Sequence, residues 1–361
     1  MRVVVVGASG NVGTSVLRAL AAEPAVESVL GIARRLPEQS FPKTDWREAD
    51  ITRSPLRPLF QDADAVIHLA WLIQPGRDKR QLHEVNVEGS ARVFRAAAAS
   101  GVGALVYASS IGAYAPGPKD RPVNESWPTT GIASSFYARH KAEVERLLDR
   151  FEGEHPNMRV VRLRPGLIFK REAASGIRRL FAGPFLPTAL VQPRLIPVVP
   201  DHPRLVFQAV HSYDVGEAYR LAVANDDARG PYNVAADPVL DPDELARALG
   251  ARKVRVPAAL LRGGAALSYL LRLQPSEPGW VDMAFAVPVM DTTRARTELG
   301  WRPERSSTEA LLELLEGMRD GAGLDTPPLE PGGAGPLRAR EFASGVGARL
   351  DGPGGRSPAE R

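Results

Sequence analysis

Tyr137 and Lys141 are the two residues whose types and spacing point most directly to chemistry. They lie four residues apart in the helical pattern Phe136–Phe151, so both side chains lie on one face of the predicted helix. A tyrosine has an unperturbed pKa of about 10, and a neighbouring ammonium favours the phenolate. A tyrosine placed in this way can exchange a proton with the hydroxyl or carbonyl group of a substrate.

Two serines extend this pair to a candidate triad. Ser109 and Ser110 follow the apolar run Ala104–Ala108, which predicts a buried strand. Open α/β sheets bind ligands beyond the carboxyl ends of their strands. A hydroxyl at this point can therefore hold the reacting oxygen of a substrate.

A glycine-rich turn joins the first predicted strand, Val3–Val6, to the first predicted helix, Thr14–Ala22. The residues of the turn are Gly7, Ala8, Ser9, Gly10, Asn11, Val12 and Gly13. Glycines let the backbone approach a pyrophosphate closely, and the helix N-terminus supplies free N–H groups and a positive dipole. The turn predicts a dinucleotide cofactor, and an oxidised nicotinamide would further favour the Tyr137 phenolate.

The residues after the second predicted strand bear on the choice between NAD and NADP. This strand, Ser28–Ala33, is followed by Arg34 and Arg35 and by no carboxylate. An acidic residue there binds the ribose hydroxyls of NAD, whereas an arginine accommodates the 2′-phosphate of NADP. We therefore favour NADP slightly and leave NAD open.

Strand and helix patterns alternate in the first half of the chain. Further apolar runs occupy Ala65–Ala70 and Arg159–Leu163, and helical patterns cover Gln81–Ser100 and Phe136–Phe151. This alternation predicts an α/β fold with a Rossmann-type doubly wound parallel sheet.

The second half of the chain breaks this rhythm and predicts a smaller, interleaved C-terminal substrate lobe. We assign residues 1–170 and about 205–235 to the dinucleotide-binding Rossmann domain, and about 171–204 and 236–325 to the lobe. The last 31 residues contain 12 glycines and prolines, so we predict a flexible tail over 326–361.

The composition excludes several classes of protein and partner. The chain has no cysteine, which excludes disulfide scaffolds, iron–sulfur clusters and cysteine nucleophiles, and its 6 histidines form no HExxH pair, so we predict no metal. The net charge is only +4 without a dense basic stripe, which argues against nucleic-acid binding. No apolar run approaches the ~18 residues that span a bilayer, and the start is too short for a signal peptide. We therefore predict a cytoplasmic protein with no membrane partner.

Several motifs together resemble the extended short-chain dehydrogenase/reductase family, the NAD-dependent epimerase/dehydratase group, over about residues 1–320. In chain order they are G-A-S-G-N-V-G at 7–13, D-I at 50–51, H-L-A at 68–70, N-V-E-G-S at 86–90, Y-A-S-S at 107–110, Y-A-R-H-K at 137–141, R-P-G at 164–166, V-H-S-Y-D-V at 210–215 and L-G-W-R-P at 299–303. Their number and order make the resemblance specific.

The resemblance implies a role for each member of the triad. Tyr137 is the general acid and base, Lys141 lowers its pKa and holds the nicotinamide ribose, and the register of the motif favours Ser110 for the substrate oxygen. Asn86 is implied to lie near the site and to support the helix or a water. The predicted cofactor-binding residues are Gly7, Ser9, Gly10, Asn11, Val12, Gly13, Arg34, Arg35, Asp50, Ile51, Leu69, Ala70, Tyr137, Lys141 and Pro165.

The activity implied is NAD(P)-dependent hydride transfer at a secondary alcohol or ketone of a small molecule. One alternative is a nucleotide-sugar epimerase or dehydratase that retains NAD, although Phe207 stands where many such members carry a diphosphate-binding arginine. Another is a non-catalytic NAD(P)-binding sensor, against which the presence of Tyr137 and Lys141 argues. Family members often form homodimers through a helix pair, for which helices 81–100 and 136–151 are the candidates.

Overall fold

The computed structural model describes residues 1–73, 77–182, 185, 191 and 195–331. The strands are β1 (Arg2–Val6), β2 (Ser28–Ala33), β3 (Thr44–Glu48), β4 (Ala65–His68), β5 (Ala104–Ala108), β6 (Pro122–Val123), β7 (Arg159–Pro165), β8 (Leu167–Phe169), β9 (Val198–Asp201), β10 (Ala209–His211), β11 (Gly230–Val234), β12 (Arg252–Arg255) and β13 (Val289–Met290).

The α-helices are α1 (Asn11–Ala22), α2 (Arg57–Phe60), α3 (Lys79–His83), α4 (Gly89–Ala99), α5 (Phe136–Glu154), α6 (Ala174–Ile177), α7 (Ser212–Ala224), α8 (Pro242–Leu249), α9 (Ala258–Leu270), α10 (Gly279–Ala286), α11 (Thr293–Glu298) and α12 (Ser307–Asp320). Short 3₁₀ turns occupy Ile111–Ala113 and Arg171–Ala173, and π-helical turns occupy Glu84–Glu88 and Arg178–Ala182.

Seven parallel strands form the central sheet, in the order β11-β7-β5-β4-β1-β2-β3. Helices cover both faces, so the valines of β1 are buried on both sides. Val3 and Val5 pack in the core formed with α1 and α7, whereas Val4 and Val6 pack in the core formed with α4 and α5. This architecture confirms the predicted α/β, Rossmann-type fold.

The order of the strands also determines where a ligand can bind. β1 lies between β2 and β4. The chain runs from β1 to β2 and β3 on one side of β1 and then crosses to β4 on its other side, which opens a crevice at the carboxyl end of β1. Gly7, Leu69 and Ser109 follow β1, β4 and β5 at this edge of the sheet. The predicted cofactor turn and the predicted catalytic serines therefore share one side of the molecule.

Several boundaries differ from the sequence predictions. α1 begins at Asn11 and not at Thr14, because the Thr14 N–H already donates to the Gly10 carbonyl over 3.0 Å as the first intrahelical bond. β3 was not predicted, since its residues are mostly polar. It is an edge strand that pairs only with β2, so backbone hydrogen bonds and not burial define it.

The later part of the chain builds two small parallel sheets, β8 with β10 and β9 with β12. The buried residues of a separate small core are Val199, Ala209, Leu240, Leu245 and Leu249. The boundaries drawn between Rossmann domain and lobe stay a prediction. Of the predicted tail, residues 332–361 lie outside the described part of the chain.

Candidate active site

The glycine turn after β1 is shaped by two close backbone approaches. Gly7 has a φ of +89°, and a Cβ on it would lie 2.7 Å from the backbone nitrogen of Ala70. A Cβ on Gly13 would lie 2.4 Å from the carbonyl oxygen of Ala8. Neither position accepts a side chain without moving backbone, so the turn needs glycine at both.

The start of α1 fits a dinucleotide pyrophosphate. Gly10 occupies the N-cap and forms no side-chain cap, and the first turn contains no acidic residue. The N–H groups of Asn11, Val12 and Gly13 precede the intrahelical ladder and are available to an anion. The Asn11 Oδ1 atom is buried without a hydrogen-bond partner, and Ser9 is buried in the same turn.

Replacing Gly7 with alanine is expected to weaken NAD(P)H binding by at least about tenfold, because relief of the clash with Ala70 must displace the turn. Titration of nicotinamide fluorescence measures the effect. Gly153→Ala is the matched control, since that glycine lies in α5 and a Cβ there meets nothing within 4 Å. Equal affinities of the two variants would contradict the assignment of the turn.

Arg34 and Arg35 lie exposed directly after β2. The carbonyl of Ile32, near the end of that strand, accepts a hydrogen bond of 2.8 Å from the Gly7 N–H. Arg34 and Arg35 therefore lie two and three residues after Ile32, which hydrogen-bonds the glycine turn. Their contact with a ribose 2′-phosphate stays a prediction.

Asp50 and Ile51 follow β3 in a tight turn. The Asp50 Oδ1 atom accepts hydrogen bonds from the Thr52 N–H over 2.9 Å and the Thr52 hydroxyl over 2.7 Å. Ile51 is buried against Gly89, where an added Cβ would lie 2.8 Å from its Cδ1 atom. Both residues shape the wall beside the crevice, and their contact with a cofactor stays a prediction.

Ser110, Tyr137 and Lys141 come together beyond the carboxyl end of β5. Tyr137 lies in the first turn of α5 and Lys141 one turn later. The Ser110 hydroxyl accepts a hydrogen bond of 3.0 Å from the Gly112 N–H, and Gly112 packs against the Tyr137 ring. The Ser110 side chain is close enough to lower the pKa of Tyr137. The structure therefore brings the three predicted catalytic side chains together. Pro165 is the buried last residue of β7, the strand that pairs with β5.

Lys141 is a buried cation held by three neighbours. Its Nζ donates a hydrogen bond of 2.6 Å to the Ala108 carbonyl and lies 3.5 Å above the centroid of the Trp71 ring. The Tyr137 ring centroid is 5.9 Å away. Burial lowers the pKa of Lys141 well below its usual value, and the Glu145 carboxylate acts in the opposite direction.

Burial and the neighbouring Ser110 shift the pKa of Tyr137 in opposite directions. Burial raises the pKa of Tyr137, and the Ser110 side chain lowers it. In the protein without cofactor the net shift is upward, whereas the sequence predicted a lowered pKa. The reason is that the desolvation of the phenolate exceeds the opposing effect of Ser110. That expectation also included the positive charge of an oxidised nicotinamide, which would favour the Tyr137 phenolate further.

Aromatic side chains from two parts of the chain flank Tyr137. The Trp280 ring in α10 lies 4.9 Å from the Tyr137 ring between centroids, and the Trp71 ring lies 5.9 Å away. Gly112 packs so closely that an added Cβ would lie 2.9 Å from the Tyr137 ring and 3.1 Å from the sulfur of Met283. The tyrosine is therefore fixed in orientation by its surroundings.

Asn86 lies in the π-helical turn Glu84–Glu88 and is fully buried. Its Oδ1 atom accepts from the Leu72 N–H over 2.7 Å, and its Nδ2 atom donates to the Leu72 carbonyl over 2.8 Å. Both ends of the amide are thus used to hold the segment after β4, which carries Leu69, Ala70 and Trp71. Asn86 acts as a positioning residue for the wall of the site.

Glu145 was not predicted from the sequence. It lies one turn after Lys141 on the same face of α5, is fully buried, and accepts a hydrogen bond of 2.5 Å from the Ser109 hydroxyl. Arg162 and Arg164 pair with its two oxygens at 2.8–2.9 Å. Despite its burial, these partners lower the pKa of Glu145 to about 2. The regular spacing 137, 141, 145 was the signal that could have indicated it.

Neither a metal site nor a membrane-spanning helix is found among the described residues. No group of three or more histidine, aspartate or glutamate side chains there could hold a metal ion. Among the same residues, no helix combines the length and apolar character that crossing a membrane requires.

Comparison with known proteins decides the family. The profile of the NAD dependent epimerase/dehydratase family matches residues 3–235. The chain belongs to this family. The match covers the glycine turn, the triad and the buried Glu145, so the geometry described above lies within the part shared with the family.

Relatives and solved structures agree with this placement. An uncharacterized protein of Mycobacterium tuberculosis is 27% identical over 326 residues, which are 90% of this chain but 31% of that protein, so the chain spans about a third of its length. The 2-alkyl-3-oxoalkanoate reductase of Shewanella oneidensis is 27% identical over 170 residues, 46% of this chain and 44% of the reductase. The UDP-glucose 4-epimerase of Thermus thermophilus, solved in complex with NAD, has a TM-score of 0.65 at 22% identity over 88% of this chain and 99% of the epimerase. The last likeness shows the fold.

Proposed function

We propose that this member of the family is an NAD(P)-dependent oxidoreductase that transfers hydride at a secondary alcohol or ketone of a small molecule. The observation that carries the proposal is that Ser110, Tyr137 and the buried Lys141 lie together beyond the carboxyl end of β5, with the Lys141 Nζ 5.9 Å from the centroid of the Tyr137 ring. This arrangement provides a proton donor and acceptor where the crevice of a doubly wound sheet binds its cofactor.

NAD(P) would be held by the glycine turn and would supply or accept the hydride. In the reducing direction Tyr137 gives its phenolic proton to the substrate oxygen, and in the oxidising direction the phenolate takes that proton back. When a substrate is bound, Ser110 can direct its one hydroxyl proton to the same oxygen, while its own oxygen still accepts from the Gly112 N–H. Lys141 stabilises the phenolate electrostatically.

Net reduction is favoured over transient oxidation within an epimerisation by the surroundings of Phe207. Phe207 pairs through its backbone with Leu240 and packs against the small apolar core of the lobe, so this position offers no cation for a diphosphate. One relative, moreover, is named as a reductase of a 3-oxo acid. These observations support a ketone or secondary alcohol without a nucleotide diphosphate group.

The test is titration of purified protein with NADPH and NADH, followed by turnover on a panel of ketones and secondary alcohols. We expect free exchange of cofactor and oxidation of NAD(P)H that depends on the ketone. NAD that survives purification and turns over without net oxidation of cofactor would instead establish an epimerase or dehydratase. Binding of cofactor without turnover on ketones, alcohols or sugar nucleotides would favour a sensor.

Replacing both Arg34 and Arg35 with serine is expected to weaken NADPH binding by about tenfold or more and to leave NADH binding within about twofold, because charge-assisted bonds to the 2′-phosphate are lost. The ratio of the two dissociation constants measures the effect. The matched control is a double serine replacement of the exposed Arg146 and Arg150 on α5. An equal loss of NADH and NADPH affinity would contradict a role at the 2′-phosphate.

A further inference from the structure

α9 has its apolar side turned outward. Successive residues of a helix are about 100° apart, which places Leu260, Leu267 and Leu271 within about 40° of one another on the outer face. These leucines are 67%, 57% and 58% exposed, and Leu270 beside them is 72% exposed. None of the thirteen residues of α9 is buried.

Arg262, whose side chain is still about half exposed, and Tyr269 lie on the opposite side of α9 and contact other segments of the protein. The Arg262 guanidinium pairs with the Asp282 carboxylate of α10 at 2.7 Å. The Tyr269 carbonyl accepts a hydrogen bond of 2.6 Å from Arg77, whose guanidinium also lies 4.1 Å above the Tyr269 ring. A surface helix of a globular protein normally shows the reverse pattern. The outer face of α9 therefore has the composition of a surface that is covered by another apolar surface.

Basic residues surround this face on both ends. Residues 252–276 contain no acidic residue and five basic ones: Arg252, Lys253, Arg255, Arg262 and Arg272. Arg252 and Arg255 are exposed in β12 just before the helix, and Arg272 is exposed just after it. Leucines flanked by arginines are the pattern by which a helix lies in the interface of an anionic bilayer, with the cations at the phosphates.

We propose that the outer face of α9, with its flanking arginines, docks onto an anionic lipid surface. A second copy of the chain is the less favourable occupant. In a parallel or an antiparallel pair of α9 helices, one basic end would meet another basic end, and residues 252–276 offer no carboxylate to offset the repulsion. An anionic lipid surface satisfies both the leucines and the charges. This proposal departs from the sequence prediction of no membrane partner, which was based on the absence of an apolar run long enough to span a bilayer and did not consider docking at its surface.

The experiment is co-sedimentation of the full chain with vesicles of phosphatidylcholine alone and with vesicles containing one quarter phosphatidylglycerol. We expect binding to the anionic vesicles only, weakened by salt. The double variant Leu267→Ser/Leu271→Ser should bind at least about tenfold more weakly, since two leucines no longer leave water. Leu36→Ser is the matched control, because that leucine is also exposed and follows two arginines.

Two results would overturn the proposal. One is the absence of binding to anionic vesicles by the unaltered protein. The other is a dimer in light scattering that Leu267→Ser/Leu271→Ser converts to a monomer, which would show that a second copy covers the face. Thermal melting confirms that the variants fold, and vesicle binding requires no turnover, so the outcome is independent of the proposed activity.

Discussion

Replacing Tyr137 with phenylalanine is expected to reduce kcat by roughly 10²- to 10⁴-fold, the range typical of losing a general acid–base group. The phenylalanine ring still fills the space between Trp71 and Trp280, so the fold and the glycine turn should not change. Steady-state kinetics on the best ketone substrate measure the loss, and fluorescence titration should give an NAD(P)H dissociation constant within about twofold of the unaltered protein's.

The control for this variant is Tyr232→Phe. Tyr232 lies in the edge strand β11 and donates its hydroxyl proton to Glu298 over 2.9 Å, away from the triad. Removing that hydroxyl should leave kcat unchanged. Tyr137→Phe with near-full activity would disprove the proposed role of the phenol, and an equal fall in both variants would point to loss of folding.

Replacing Glu145 with glutamine is expected to lower the free energy of unfolding by roughly 3–5 kcal/mol, because the buried Arg164 loses the carboxylate with which it is paired. Arg162 keeps only the more exposed carboxylates of Asp149 and Glu152. Arg162 and Arg164 are both nearly fully buried and share this carboxylate. The glutamine also has an NH₂ group in place of one carboxylate oxygen, so a single oxygen remains to accept from the Ser109 hydroxyl and the two guanidinium groups. Urea denaturation followed by circular dichroism measures the change.

Glu217→Gln serves as the control for the buried pair. Glu217 forms a partly exposed pair with Arg220, so its replacement should change stability by less than about 1 kcal/mol. A loss of similar size in both variants would show that Glu145 contributes no more than a surface ion pair.

The same carboxylate predicts a specific dependence of stability on pH. The pKa of Glu145 is about 2 in the folded protein and is lowered from 4.5. A lowered pKa means that the stabilisation is complete above the unfolded value and is lost as the pH falls from about 4.5 towards 2. As the pH falls over this interval, the unaltered protein should therefore lose more stability than Glu145→Gln does. Urea unfolding midpoints of the two proteins at successive pH values measure the difference.

The sequence alone was enough for the fold class, which the sheet confirms, and for the candidate triad, whose catalytic roles stay a prediction. The valine run of β1, the glycine turn and the Tyr137–Lys141 spacing are local patterns, and local patterns are set by periodicity and by the steric freedom of glycine. The family comparison confirmed the recognition of the family, and the sheet confirmed the architecture.

Only the tertiary structure decided the electrostatics of the site and the nature of its surfaces. Glu145 looks like any helix glutamate until β7 brings Arg162 and Arg164 beneath it. The upward pKa shift of Tyr137 depends on burial by residues as distant as Trp280. The outward leucines of α9 likewise resemble core positions in the sequence. Desolvation and exposure depend on which distant segments pack together, and no local pattern contains that information.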